Sequence, residues 1–188
     1  MKRFLFLAFF AALVVSKLAA HGAPESQIHF HRDGSQVIAE LQIPLSELSL
    51  ALGQDLTSTE LDASLRKILH TYLEQRILPY STDRQAWTLE VSDLSFEDSV
   101  EEFEESSGHH HDHEGLRYFH ATLSLAPPKQ EQAASKFALD YTVVHHEVNS
   151  HRTRLYLEPE HGTGEKPIYL GVIRSTQTTV LVDLDPQG

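Results

Sequence analysis

Cysteine is absent from all 188 residues. That absence excludes disulfides, a thiolate metal site, a thiol nucleophile and a cysteine-borne lipid anchor. Positive charge is scarce. Fifteen Lys and Arg stand against 27 Asp and Glu, for a formal charge of −12. A surface of that sign repels phosphate backbones and anionic headgroups, so no nucleic-acid partner is expected. Long apolar runs are missing after residue 20. Nothing there approaches the 18 or so residues of a membrane helix, so no direct membrane insertion of the mature chain is expected. The chain also has no Gly-rich phosphate loop, no Gly-x-Ser-x-Gly elbow and no His-Glu-x-x-His helix. Neither an enzyme nor an organic cofactor is therefore expected. The carboxylates cluster in a loop that nothing holds rigid, whereas catalysis needs preorganised groups.

What is present begins with a leader. Lys2 and Arg3 precede an unbroken apolar run over 4–15, followed by small residues to Ala20. This is the pattern of a signal peptide over 1–20, with cleavage expected after Ala20 or Gly22. Lys2, Arg3 and Lys17 would leave with it, taking the charge from −12 to −15. The mature chain, 21–188, reads as a single extracytoplasmic domain. Its expected location is the periplasm or cell envelope after Sec-type export, and lack of cysteine agrees with a bacterial envelope.

The stretch 97–114 carries the densest chemistry. An acidic run over 97–105 meets His109, His110, His111, Asp112, His113 and Glu114 across Ser106-Ser107-Gly108. It has no apolar period, so it is expected as a disordered acidic and His-rich loop of a hairpin. Imidazole with carboxylate suits borderline divalent cations such as Ni, Co, Zn or Cu. The candidate ligands are His109, His110, His111, Asp112 and His113. His120 would join them from the following strand, where it faces the polar side close to the loop's exit. His29 and His31 rank below these as a same-face pair about 7 Å apart along one strand. His21 would chelate copper with a free N-terminal amine if cleavage falls after Ala20.

The flanking sequence reads as strands. Residues 27–32 and 36–43 alternate around Asp33-Gly34, the signature of a tight hairpin. Residues 44–53 start with Pro and stop at Gly, predicting a two-turn helix. Thr57-Ser58-Thr59-Glu60 reads as a capping box opening a longer helix from Ser58 to about Leu78, with Pro79 as its stop. Leu61, Leu65, Ile68, Leu69 and Tyr72 give it one apolar stripe. The run 87–96 changes phase near Ser92-Asp93, which predicts a bulge. Residues 116–125 alternate again. Residues 137–145 alternate without a break, which puts His145 on a strand, in the apolar register, as a hydrogen-bonded core residue. Further strands are expected near Leu155, Ile168 and Val180. The sum is a mainly β fold, an antiparallel β-sandwich of about eight strands with one substantial helix and a short helix before it.

Several stretches carry a resemblance. Ala20-His21, Ile38-Ala-Glu-Leu-Gln-Ile-Pro-Leu-Ser-Glu-Leu-Ser-Leu-Ala-Leu-Gly53, Gln85-Ala-Trp-Thr-Leu-Glu-Val-Ser-Asp-Leu94, Phe137-Ala-Leu-Asp-Tyr-Thr-Val-Val-His-His-Glu-Val148 and Gly171-Val-Ile-Arg174 are similar to an extracytoplasmic domain. That domain precedes the membrane part of some bacterial HupE/UreJ-like proteins, and the likeness covers most of the mature chain. The membrane part of that family is associated with nickel or cobalt uptake. The resemblance thus implies a nickel, cobalt or zinc context and an integral-membrane transporter partner. The present chain ends at Gly188, about where the first membrane helix would begin, so no transport residue carries over. Transport by this chain alone is not expected.

The expected function is an exported accessory domain that binds a divalent transition metal through the loop, linked to metal uptake. The alternatives are a non-catalytic module docking on a membrane partner, with the loop as decoration, and copper handling through His21.

Overall fold

The computed structural model describes residues 24–98, 116–128, 135–159 and 164–186. Strand β1 (Ser26–Asp33) turns through Gly34 and Ser35 into β2 (Gln36–Pro44). Gly34 has φ +61, a conformation that suits a residue without Cβ. The expected hairpin is present, its register running from Gln27 opposite Gln42 to Asp33 opposite Gln36. Helix α1 (Leu45–Leu52) follows Pro44 and ends at Gly53, whose φ of 63 makes the left-handed cap. Helix α2 spans Ala63–Arg76. Strands β3 (Ile77–Tyr80), β4 (Thr88–Asp98), β5 (Arg117–Ala126), β6 (Lys136–Tyr141), β7 (Arg152–Leu157), β8 (Ile168–Arg174) and β9 (Thr179–Asp183) complete the described elements.

The fold is mainly β. Among the described residues, nine strands form two sheets, six-stranded β4-β5-β2-β1-β7-β8 and three-stranded β3-β6-β9. Every second residue of β1, β2 and β5 is buried: Ile28 and Phe30, then Val37 to Ile43, then Phe119 to Leu125. The sheets meet in a sandwich-like core, where Phe30 of the large sheet lies edge-on to Phe137 of the small one, 5.7 Å between ring centroids. Trp87 packs on the same Phe137 at 4.9 Å.

Four expectations are corrected. The sheets are not wholly antiparallel, because β1 pairs with β7 in parallel, Ser26 beside Thr153. Helix α2 starts at Ala63 rather than Ser58. The Asp55 carboxylate accepts from the Thr57 amide (2.9 Å), the Thr57 hydroxyl (2.7 Å) and the Ser58 hydroxyl (3.1 Å), which locks the supposed capping box into a turn. Asp62 caps the helix instead, accepting from the Leu65 amide at 2.8 Å. The helix also stops at Arg76, and β3 occupies the residues assigned to its last turn. Leu78 precedes Pro79, and a residue before proline is pushed toward extended backbone. Strand β6 ends at Tyr141, so His145 lies on a turn in which Val144 has φ 64. The stripe on α2 buries Leu65, Leu69, Tyr72 and Leu73, while Ile68 is 46% exposed. The predicted bulge is where the phase change placed it, between Ser92 and Ser95, with Asp93 at φ 49.

Candidate functional site

Pairing registers carry the polar residues of the large sheet onto one face. Gln27 of β1 lies across from Gln42 of β2, Gln42 from His120 of β5, and His120 from Ser95 of β4. In the next row His29 lies across from Glu40, and Glu40 from Thr122. The partners of these residues on either side along each strand point into the core. His29 and His31 of β1 and His120 of β5 thus share the outer face. Glu40 stands directly opposite His29 and diagonal to His120.

The three histidines are placed differently. His120 Nε2 lies 3.8 Å from Glu97 Oε2, an ion pair when the ring is protonated. It lines a cleft of about 410 Å³ with Glu40, Asp93, Ser95, Glu97 and Thr122. His29 is held on both sides, its Nδ1 2.5 Å from Glu158 Oε1 and its Nε2 3.0 Å from Gln27 Oε1. Its ring also stacks on Tyr156 at 4.9 Å. Binding a metal there requires the ring to leave one of those oxygens. His31 follows two residues later on the same face, opposite Ile38. Among the described residues, no group of three His, Asp or Glu side chains is arranged to hold a metal ion. His109, His110, His111, Asp112, His113 and His21 lie outside the described residues.

The strand ends that carry the His-rich stretch are described. Asp98 and Arg117 are the last pair of the β4–β5 ladder. Arg117 Nε lies 3.1 Å from Asp98 Oδ1, and its Nη1 donates to the Thr57 carbonyl at 2.7 Å. The guanidinium also sits over the Phe96 ring, 5.9 Å from its centroid. One arginine therefore closes the hairpin end and ties it to the turn before α2. Glu97 and His120 are the nearest carboxylate and imidazole inward from that end.

Sequence reasoning missed a second polar group, inside the fold. Ser26 Oγ and His151 Nε2 are 2.8 Å apart, and His151 Nδ1 lies 3.4 Å from Glu47 Oε2. Beside them His145 Nε2 meets Thr153 Oγ1 at 3.0 Å, and the two imidazole rings stand 5.0 Å apart. His145 is thus the hydrogen-bonded core residue expected of it. Burial holds both histidines neutral, lowered to about 4, and the neighbouring His145 adds to the effect on His151. Burial also raises Glu47. The order Ser26, His151, Glu47 is that of a nucleophile, a base and an orienting carboxylate. Ser26 is nevertheless fully buried (0% exposed), so no substrate reaches its oxygen in this arrangement. The cluster joins the starts of β1 and β7, which pair in parallel, to α1. His151 lies in a polar run with no apolar register, so no local pattern distinguished it.

No protein-family model matches this chain, and no curated protein matches it. Among the described residues, no helix is long and apolar enough to cross a membrane.

Proposed function

We propose that this chain is an exported, non-catalytic accessory domain that captures a divalent transition metal such as Ni, Co, Zn or Cu. The ligands are His109, His110, His111, Asp112 and His113, completed by His120 at the root of the segment. The observation that supports this most is the hairpin end. The ion pair of Asp98 with Arg117 holds both ends of the imidazole-rich connection one strand spacing apart, beside Glu97 and His120. Glu40, Asp93 and Glu97 in the adjoining cleft raise the local cation concentration. Four imidazoles within five positions cannot all reach one ion in good geometry, so affinity is moderate and selectivity poor. Imidazole ligates when neutral, so binding fades below about pH 6. We place the domain in the periplasm or cell envelope. Its partner in this reading is an integral-membrane transporter of the HupE/UreJ-like kind, in which an extracytoplasmic domain that this sequence resembles precedes the membrane part.

Calorimetric titration of the mature chain at neutral pH with each of the four metals tests the reading. Dissociation constants of about 10 µM or tighter are expected. They should be lost when His109, His110, His111 and His113 become Ala, and weakened severalfold in His120→Ala. Equal binding by the parent and the fourfold variant would move the site to His21, His29 and His31. Absence of binding by either would remove metal capture and leave a docking module.

A further inference from the structure

Among the described residues, the outermost strands of the two sheets are β4 and β8 of the large one and β3 and β9 of the small one. An open edge presents a row of unpaired N–H and C=O groups that templates another strand, and folded proteins blunt such edges. Strand β4 is bulged between Ser92 and Ser95 and carries Glu90, Asp93, Glu97 and Asp98. Strand β8 is bulged too. Gly171 lies across from Leu155 and Tyr169 from Tyr156, which leaves Leu170 unmatched, and Gly171 has φ 148. The edge of β3 is covered by the chain returning toward β4. There the Trp87 amide donates to the Pro79 carbonyl at 3.0 Å and the Ser81 amide to the Gln85 carbonyl at 2.9 Å. Strand β9 has no bulge, no proline and no glycine and, among the described residues, no strand beyond it.

Hydrogen-bond parity fixes which groups of β9 face outward. The Tyr141 amide donates to the Thr178 carbonyl at 2.9 Å, and the Leu184 amide to the Ser135 carbonyl at 2.7 Å. Bonded pairs alternate along an antiparallel ladder, so Val180 and Val182 turn their backbone groups toward β6. Thr179, Leu181 and Asp183 turn theirs to the open edge. Their side chains lie on the outer face of the small sheet, where Leu181 is 62% exposed beside Ala138. Charge at this edge is balanced. Lys136 Nζ lies 2.9 Å from Asp183 Oδ2, and Arg32 Nη2 lies 3.1 Å from Asp185 Oδ2. On a chain of formal charge −12, this edge is therefore a place where a second acidic copy meets carboxylates already paired with cations.

We propose that β9 is the pairing edge of a two-fold homodimer, antiparallel to β9 of a second copy and centred on Leu181. A two-fold axis there sets Leu181 across from Leu181 of the second copy, and Thr179 across from Asp183 of the second copy. The outward-facing residues then pair only among themselves, so each open N–H and C=O meets its complement in register. The two exposed leucines cover one another on one face, and each Thr179 hydroxyl meets a carboxylate. The two small sheets merge into one continuous sheet. A strand of another protein would satisfy the backbone groups, but it would use neither the central leucine nor the matched placement of Thr179 and Asp183. The strand offers 5 residues a side, so the interface is small and association is weak. This edge shares no residue with the metal reading and is independent of it.

Sedimentation equilibrium of the mature chain measures the association, in chelator so that bridging by a metal ion contributes nothing. A dimer with a dissociation constant of about 200 µM or tighter is expected. Leu181→Lys sets two ammonium groups side by side and should weaken it by about tenfold or more. Leu181 is exposed in a single copy, so the variant keeps its fold. Register is read by cross-linking. The chain lacks cysteine, and a bonded antiparallel pair sets its Cα atoms about 5.5 Å apart, within disulfide reach. Leu181→Cys should therefore oxidise to a covalent dimer, while Leu50→Cys, as exposed on α1, should not. This second variant keeps the test valid even if Leu181→Lys were to disturb the fold. A parent that stays monomeric to about 1 mM would overturn the proposal and leave the edge to an extended segment of another protein. So would a dimer undiminished in Leu181→Lys, or cross-linking no faster for Leu181→Cys than for Leu50→Cys.

Discussion

At the scale of single residues, the histidines of this chain differ in chemistry according to what the fold sets beside them. His29 has both ring nitrogens against oxygens, His120 has one carboxylate at 3.8 Å, and His151 is sealed between Ser26 and Glu47. Alternation had put His29 and His120 correctly on the polar face, because burial of every second strand residue is written directly into the sequence. It could not say which rings had partners, since Glu158 lies 129 residues from His29. His151→Ala leaves the Ser26 hydroxyl buried without a partner and opens a void. It should cost about 3 kcal/mol, read as a lower urea midpoint with an unchanged slope. His120→Ala on the half-exposed face should change stability by less than about 0.5 kcal/mol in the same experiment. A change confined to metal affinity would then be a ligand effect and not unfolding.

At the scale of elements, short-range signals worked where they described a single turn and failed where two signals competed. The Asp33-Gly34 hairpin, the Pro44 start and Gly53 stop of α1, and the bulge at Ser92–Ser95 all formed as their residues dictate. The helix boundaries did not, because Asp55 claimed the hydroxyls of the apparent capping box and Asp62 took over as cap. Asp62→Ala should therefore destabilise by about 1 kcal/mol, while Glu60→Ala should be nearly neutral. Comparing their thermal midpoints checks which residue starts the helix. Gly53 at φ 63 meets nothing within 4 Å of an added Cβ, so Gly53→Ala isolates the backbone cost. About 1 kcal/mol of destabilisation is expected there, from left-handed strain alone. Strand β3 was hidden within the last turn assigned to α2, and only its ladder with β6 defines it.

At the scale of the whole molecule, the buried imidazole pair couples the fold to pH. The unfolded chain protonates these histidines near 6.5, whereas the folded chain holds them neutral until about 4. Between those values the unfolded state binds more protons, so stability falls as pH drops from about 6.5 toward 4. Each histidine contributes at most about 3 kcal/mol to that loss. Glu47, raised by burial, works in the opposite direction and offsets part of it. Urea midpoints at pH 7.5 and pH 5 should thus differ clearly. The difference should shrink when His145 is changed to Gln, whose amide does not titrate in this range. A pH-independent midpoint would mean that both rings reach water.

The amino-acid sequence by itself determined the strand faces, the tight turn, the bulge, the short helix, the acidic charge and the imidazole-rich connection. Each of these is a local pattern of period, cap or composition, and local patterns are readable without knowing what lies beside them. The tertiary structure decided the rest. It set β7 parallel to β1, drew His145, His151, Ser26 and Glu47 into one buried group, and set β9 at an outer edge of the small sheet. These depend on residues far apart in the chain meeting across the core, and such meetings leave no repeating mark in either segment.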